Sequence, residues 1–288
     1  PEETLYFANP GPDGKFNPDF YFHWADFNNE PINDWRKVTS TILSIPLAHQ
    51  MIGFYTVADS ADGVLKVMRS YQYYAANKIS DRAATQDWSN VEQLGGYIWH
   101  TTGSGKTMTS YKATRNLLMD IPSIEKTVFL IDRKDLDMQT KMAFQSYADN
   151  DTIDVDDTDY VDTLIKRMTD GNRQMIVTTR QKIQTMISNR LKEGTKEYQI
   201  IKNLRVAFVV DECHRAVTPE TKRKLEQFFN NSLWYGFTGT PIFEQNKYEQ
   251  KGDLPQTTEQ LYGKCLHSYT IKEAIHDEAV LGFMVENL

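Results

Sequence analysis

A glycine-rich stretch, WHTTGSGKT at residues 99–107, has the residue types of a phosphate-binding loop. It follows an apolar segment that predicts a strand and precedes a segment that predicts a helix. Glycines let backbone N–H groups close around phosphates, and the start of a helix favours an anion. Lys106 would neutralise the β- and γ-phosphates of ATP, and the hydroxyl of Thr107 would take a place on Mg²⁺. The predicted nucleotide-binding residues of this loop are Thr102, Gly103, Ser104, Gly105, Lys106 and Thr107.

Two adjacent acids follow an apolar run later in the chain. Residues 206–214 read VAFVVDECH, so a β-branched run that predicts a buried strand ends directly at Asp211 and Glu212. Ligands of α/β proteins bind at the carboxyl edge of the sheet, which is where this strand would place both acids. Asp211 would hold Mg²⁺, and Glu212 would orient and deprotonate the attacking water. Lys106, Asp211 and Glu212 are therefore the predicted catalytic residues.

The elements that must position these residues alternate along the chain from residue 95 onward. The pattern predicts strands at residues 95–99, 127–131, 175–178, 206–210 and 234–237, and helices at 106–119, 136–147 and 183–192. Such alternation is typical of a parallel sheet covered on both faces, so the predicted fold class is α/β. Ahead of it, aromatic runs around a GPDG turn predict a small antiparallel element, and residues 33–58 predict helices broken at Pro46. The aspartates between Asp149 and Asp159 predict a surface loop.

The composition excludes several classes of protein. With 288 residues, of which 40% are hydrophobic, the chain can bury a core without disulfides. Only Cys213 and Cys265 occur, so neither a disulfide framework nor a cysteine-built zinc site is predicted, and a reducing, cytoplasmic setting is favoured. No apolar run is long enough to predict a membrane span. The net charge of −7 argues against DNA binding through bulk positive charge, but it allows a local groove that holds phosphates.

The box DECH at residues 211–214 resembles the motif of the DEAD/DEAH class of superfamily 2 helicases and translocases. RSYQ at residues 69–72 is similar to the adenine-reading element of that class, which implies that Gln72 bonds the adenine edge and that Arg69 lies near the nucleotide. GFTGTP at residues 236–241 resembles the motif that links the nucleotide site to the DNA site. The coupling residues that this implies are His214, Thr238 and Thr240.

Two further segments, residues 129–136 and 178–182, fall where this class lays the nucleic-acid backbone against arginine, lysine and threonine. The DNA contacts that this implies are Arg133, Lys134, Thr179, Arg180 and Lys182. Ordinary surface charge is the alternative interpretation for Arg133, Arg180 and Lys182.

The amino-acid sequences of four motifs are similar to those of the R subunit of type I restriction–modification enzymes. They are GGYIWHTTGSGKT at 95–107, DRKDL at 132–136, DECHR at 211–215 and GFTGTPI at 236–242. In that family His100 stands in the loop where the strict G-x-x-x-x-G-K-T template has glycine. The resemblance implies that residues 64–288 form the first RecA-like motor domain, a parallel sheet with helices on both faces. Residues 1–58 would then be a small α+β segment from the adjoining nuclease domain, with residues 59–63 as a joint.

The resemblance also implies the activity: a DNA-dependent ATPase that pulls double-stranded DNA past a bound type I site-specific deoxyribonuclease before cleavage. ATP and Mg²⁺ would be its cofactors, and the methylation and specificity subunits its partners. In this family the arginine finger lies in a second RecA-like domain, so we expect very slow ATP hydrolysis by this stretch alone. The nuclease residues of the family would lie ahead of Pro1. Two other functions stay open. They are a generic superfamily 2 helicase that separates strands and a nucleotide-responsive binding module in which ATP only locks a conformation.

Overall fold

The computed structural model describes residues 3–6, 21–88, 95–131, 134–151, 155–157 and 160–280. Strands β1 (Thr56–Asp59) and β2 (Val64–Val67) pair as an antiparallel hairpin. Seven further strands form one sheet in which all neighbours are parallel, in the order β5-β6-β4-β7-β8-β3-β9. They are β3 (Gly96–His100), β4 (Lys126–Ile131), β5 (Val155–Asp157), β6 (Gln174–Thr179), β7 (Arg205–Val210), β8 (Asn231–Thr238) and β9 (Cys265–Tyr269).

Helices cover both faces of the sheet because successive strand residues point to opposite sides. In β4, Phe129 and Ile131 belong to one buried cluster, and Val128 and Leu130 belong to the other. The first cluster includes residues of α1 (Trp35–Ser40), α2 (Ile45–Gly53), α3 (Ser70–Ala84), α4 (Lys106–Asp120) and α5 (Lys134–Ala148). The second includes residues of α6 (Val161–Thr169), α7 (Arg180–Thr185), α8 (Lys196–Asn203), α9 (Cys213–Ala216), α10 (Pro219–Phe228) and α11 (Thr258–Tyr262). A last helix, α12 (Ile271–His276), follows β9.

The predicted α/β fold with a covered parallel sheet is confirmed, and the five predicted strands are β3, β4, β6, β7 and β8. Two strands were not expected. β5 lies within the aspartate-rich segment that was expected to be a surface loop, so that expectation is wrong at residues 155–157. β9 carries a polar sequence, CLHSY, without an apolar run. Both are edge strands, which have one neighbour only and therefore need less apolar sequence.

The segment ahead of the sheet mixes helices and strands. Pro46 lies in the first turn of α2, so the expected break produces two helices. The helical stretch ends at Gly53 rather than near residue 58, because residues 56–59 pair in the hairpin. Tyr6 and Phe22 form an antiparallel bridge, as the aromatic runs predicted. The GPDG turn between them lies outside the described residues.

Residues 59–63, the expected joint, comprise the last residue of β1, the buried Asp59, and the turn of the β1–β2 hairpin. Trp24 and Val57 share the first cluster with Ala75 and Ile79 of α3, so the segments on the two sides of the joint pack against each other. The division into residues 1–58 and 64–288 stays a prediction. In the part of the chain that the structure describes, no helix is long and apolar enough to cross a bilayer.

Candidate nucleotide and nucleic-acid site

The motifs predicted from the sequence lie along one edge of the sheet. In parallel strands all carboxyl ends meet at the same edge. The phosphate loop follows β3, the acidic box follows β7, and residues 238–241 lie at the carboxyl end of β8, the strand between β3 and β7. The two segments expected at the nucleic-acid backbone follow β4 and β6, the next strands along the edge. The strand order therefore puts the nucleotide motifs on one half of the edge and the predicted DNA residues on the other.

The phosphate loop leads directly into α4. Gly105, the residue before the helix, has φ +75°, a left-handed conformation that glycine adopts without strain, and a Cβ there would lie 2.7 Å from Nε2 of Gln72. No side chain caps this end of α4, so its first N–H groups are directed at the loop without a side-chain acceptor. The Ser104 hydroxyl donates to the Thr101 carbonyl at 2.6 Å. Ser104 therefore shapes the loop with its side chain.

Lys106 and the acidic box meet at this edge. Nζ of Lys106 lies 3.7 Å from Oε1 of Glu212 and donates to the Thr101 carbonyl at 3.4 Å. The Lys106 side chain is only 10% exposed. The two residues that the sequence assigned to phosphate binding and water activation are thus in contact across β8.

The acidic pair is held in a strained, electrostatically unfavourable arrangement. Burial, followed by the charge of Glu212, raises the pKa of Asp211. Asp211 Oδ1 accepts the backbone N–H of Glu212 at 2.9 Å. Glu212 has φ +44°, which is uncommon for a residue with a side chain. Two adjacent carboxylates with one lysine nearby favour a further cation.

His214 connects the box to the end of β8. Its Nδ1 lies 2.8 Å from Oγ1 of Thr238, and its Nε2 lies 3.3 Å from Oγ1 of Thr240. Nδ1 is also 3.6 Å from Oε2 of Glu212. The structure thus brings together all three residues to which the sequence assigned coupling, and it joins them to Lys106 through Glu212.

The expected adenine-reading residues lie at the start of α3. The Gln72 amide is buried, accepts the backbone N–H of Arg69 at 2.9 Å and approaches the carbonyls of Ser104 and Gly105 at 3.3 and 3.4 Å. The Arg69 guanidinium lies 3.7 Å from the centre of the Phe22 ring. In this conformation Gln72 bonds the loop backbone, and its contact with an adenine edge stays a prediction.

Sequence reasoning missed three side chains around the loop and the box. The Tyr71 hydroxyl donates to the Ser104 carbonyl at 2.9 Å, and the ring stacks on Tyr269 of β9. The Tyr248 hydroxyl donates to the His214 carbonyl. His267, expected to be a structural strand-edge residue, is buried and bonds His100 at 3.0 Å. Tyr71 lies inside the RSYQ element, so its position carried a signal; Tyr248 and His267 lie in segments without a motif.

The five predicted DNA contacts differ in what the structure shows of them. Arg133 lies outside the described residues, and Lys134 begins α5. The Thr179 hydroxyl caps α7 by accepting the Lys182 N–H at 3.4 Å, so this oxygen already has a partner. Among the described residues, the buried Nε of Arg180 has no hydrogen-bond partner. Because burial keeps this atom away from solvent, the contact of Arg180 with a DNA phosphate stays a prediction.

Comparison with known proteins places this site in a family. A family model described as SWI2/SNF2 ATPase matches residues 71–287, which contain every motif of the sheet edge. The chain belongs to this family. Membership implies nucleotide use by this domain.

Individual relatives identify the kind of protein more narrowly than the family model does. The chain is 40% identical, over 284 residues, to the endonuclease subunit of a type I restriction enzyme from Staphylococcus saprophyticus. That alignment covers 99% of this chain and 28% of the relative, so the chain spans less than a third of the relative's length. A Mycoplasma pneumoniae protein, named as the C-terminal part of a type I restriction endonuclease subunit, is 31% identical over 214 residues, 72% of this chain and 99% of that protein. The predicted resemblance to R subunits is confirmed.

A solved structure supports the fold. The Type ISP restriction–modification enzyme LlaGI, as a nuclease-deletion mutant with a DNA substrate mimic, superimposes with a TM-score of 0.52 at 18% identity. The match covers 74% of this chain and 21% of that chain. At this identity the likeness concerns the RecA-like sheet and its helices.

Proposed function

We propose that this chain is the ATP-binding motor domain of a type I restriction enzyme R subunit and that it couples ATP hydrolysis to translocation along double-stranded DNA ahead of cleavage. The contact that carries the proposal is the 3.7 Å approach of Lys106 to Glu212. It joins a phosphate-binding lysine to a carboxylate that can activate water, and P-loop ATPases need both functions.

The residues present fit Mg²⁺-ATP. The uncapped start of α4 and the glycine at residue 105 leave backbone donors for phosphates, and the two adjacent carboxylates of Asp211 and Glu212 supply oxygen atoms of the kind that Mg²⁺ binds. Thr107 and Asp211 would hold Mg²⁺, which when bound shields the charge of the phosphates. Lys106 would exchange Glu212 for the β- and γ-phosphates. Glu212, released from the lysine, would then orient a water and take its proton.

Two observations support the proposed contact with DNA: the position of basic residues at the sheet edge and the names of the relatives. Restriction endonuclease subunits act on DNA, and the relatives carry that name. Arg180 and Lys182 follow β6 on the half of the edge beyond the box, with Lys134 after β4. We propose these three, with Arg133, as contacts to the DNA backbone, and we propose the methylation and specificity subunits as partners. Thr179 fits this role less well, because its oxygen caps α7.

The first experiment measures Mg²⁺-ATP binding to the chain by calorimetry. Lys106→Ala should weaken binding roughly tenfold to a hundredfold, since a lysine–phosphate bond is charge-assisted. Asp211→Ala should remove the dependence of binding on Mg²⁺. Lys166→Ala, which changes an exposed lysine on α6, is the matched control and should bind as the unchanged chain does. Binding that ignores both site substitutions would refute the nucleotide site.

The same variants, placed in the intact subunit assembled with its partners, test translocation. The unchanged complex should displace a DNA triplex in an ATP-dependent manner without separating the duplex strands, and Lys106→Ala should abolish displacement. Strand separation by the unchanged complex would instead support a superfamily 2 helicase. Nucleotide binding without turnover would support a binding module.

A further inference from the structure

The helix that carries His214 is too short to fix its own orientation. α9 is a single turn, and the backbone N–H groups of Arg215 and Ala216 both donate to the Glu212 carbonyl ahead of it, each at 3.0 Å. Isolated helical turns are unstable because nucleation costs more than the first hydrogen bonds return. Its first bond acceptor, Glu212, is also in the left-handed conformation. The direction of the His214 ring must therefore be set by contacts from outside the helix.

Tyr248 supplies such a contact. Its hydroxyl donates to the His214 backbone carbonyl, and carbonyls in the last turn of a helix accept hydrogen bonds from groups outside it. Burial raises the pKa of Tyr248, so the phenol keeps the proton it donates.

The loop that carries Tyr248 is itself fixed. The backbone N–H of Tyr248 donates to the Gln256 carbonyl at 3.0 Å, and the Gln256 amide donates back to the Tyr248 carbonyl at 2.8 Å. At the base of the loop, Ile242 and Thr258 are joined by two hydrogen bonds of 2.9 and 2.8 Å. The Tyr248 hydroxyl is therefore presented from a closed loop whose base lies directly after Pro241.

The His214 ring depends on that placement. Its two nitrogens lie 2.8 and 3.3 Å from hydroxyls of Thr238, the last residue of β8, and Thr240, which follows that strand, and neither residue belongs to α9. Hydrogen bonds weaken steeply beyond about 3.5 Å or at poor angles, so a small rotation of a one-turn helix would break one of them. A hydrogen bond at the backbone of the same residue limits this rotation.

We propose that Tyr248 is a positioning residue for the coupling of ATP hydrolysis to DNA: it acts through the His214 carbonyl to keep the imidazole between Thr238 and Thr240. This inference rests on the proposed function. It assigns a task to a residue outside every motif of the sheet edge.

The test compares Tyr248→Phe with Tyr262→Phe in the intact endonuclease subunit with duplex DNA. Tyr262 is buried on α11, and its hydroxyl has no hydrogen-bond partner among the described residues, so the control removes the same atom without breaking a bond. Tyr248→Phe should lower the DNA-stimulated kcat about fivefold, the equivalent of one hydrogen bond, with the KM for ATP unchanged. Tyr262→Phe should keep the stimulation of the unchanged subunit.

A second measurement separates positioning from general loss of structure. In a His214→Ala background, Tyr248→Phe should have no further effect on DNA stimulation, since the ring that it positions is gone. An equal fold-loss with and without His214 would overturn the inference, because it would mean that Tyr248 acts independently of the imidazole. Full stimulation in Tyr248→Phe would also overturn it.

Failure of the proposed function has a different signature. If the unchanged subunit shows no ATPase stimulation by DNA, the coupling function itself is refuted and this inference falls with it. If the unchanged subunit is stimulated and Tyr248→Phe is stimulated equally, the inference alone is refuted.

Discussion

At the scale of single residues, the loop rests on a buried pair of histidines. His100 Nε2 and His267 Nδ1 lie 3.0 Å apart, so at most one of these two nitrogens carries the shared proton. Burial lowers the pKa of both rings, that of His267 to about 4, and for His100 the neighbouring His267 and Lys106 add to the effect. Both histidines are therefore neutral in the folded protein well below the pH at which they protonate in the unfolded chain.

This pair predicts a loss of stability in mild acid. The folded-state pKa of each ring is below the unfolded value of 6.5, so the unfolded chain binds more protons in that window, and the free energy of unfolding falls as the pH drops from 6.5 towards 4. Each histidine contributes a slope of up to about 1.4 kcal/mol per pH unit. Urea unfolding of the chain at a series of pH values measures it.

His267→Gln should make that pH dependence shallower by one proton. His276→Gln is the matched control, because His276 is 76% exposed at the end of α12, and it should retain the full slope. A slope unchanged by His267→Gln would show that the ring is not held neutral.

At the scale of elements, the site depends on how closely β8 approaches α9. Gly236 of β8 faces Cys213, and a Cβ at residue 236 would lie 2.5 Å from the cysteine Sγ and 2.9 Å from its Cβ. The absence of a side chain in the strand is thus what lets the acidic box lie against the end of β8. Cys213 has the packing role that its size suggested.

Gly236→Ala should therefore push the two elements apart. We expect the free energy of unfolding to fall by about 1–3 kcal/mol, the usual cost of overpacking. Mg²⁺-ATP affinity should fall with it, because Asp211 and Glu212 lie immediately ahead of α9. Gly171→Ala is the control, since a Cβ there meets nothing within 4 Å, and it should change stability by less than about 0.5 kcal/mol. Urea unfolding measures both variants, and equal stability of the two would contradict the close approach.

At the scale of the whole molecule, the segment ahead of the sheet is part of the same core. Trp24 is 1% exposed, and its ring lies 5.8 and 6.2 Å from the rings of Tyr73 and Tyr74 on α3. On the other side of the segment, the Asn29 amide donates to the Ser268 carbonyl of the edge strand β9 at 2.9 Å. The motor domain that the resemblance placed at residues 64–288 thus packs against residues that precede it.

Trp24→Ala should destabilise the motor domain itself, by about 3–5 kcal/mol, because it leaves a large cavity against α3. Trp35→Ala removes the same side chain from a site where it is 48% exposed, and it should cost far less. Thermal unfolding followed with Mg²⁺-ATP present tests the link to the nucleotide site. If Trp24→Ala left the nucleotide-stabilised transition unchanged, residues 1–58 would be an independent unit.

The sequence by itself determined the fold class and the family of this protein, and it predicted the chemistry of the candidate site. A lysine after glycines predicts phosphate binding, and two acids after a β-branched run predict a magnesium and water site. Alternating strands and helices predict a parallel sheet, and both motifs would lie at its carboxyl edge. The sequences of the motifs predicted the resemblance to R subunits, which the relatives confirm. The inferences about fold and family succeeded because each depends on residues that are close together in the chain.

Only the tertiary structure decided which distant side chains lie against the phosphate loop and the acidic box. His100 meets His267 across 167 residues, and Tyr248 reaches the His214 carbonyl across 34. β9 became a strand through pairing with β3, although its polar sequence carries no strand pattern. Such contacts depend on strand order and on which loop closes over which edge. Those are set by the packing of the whole core, and no local spacing of residues encodes them.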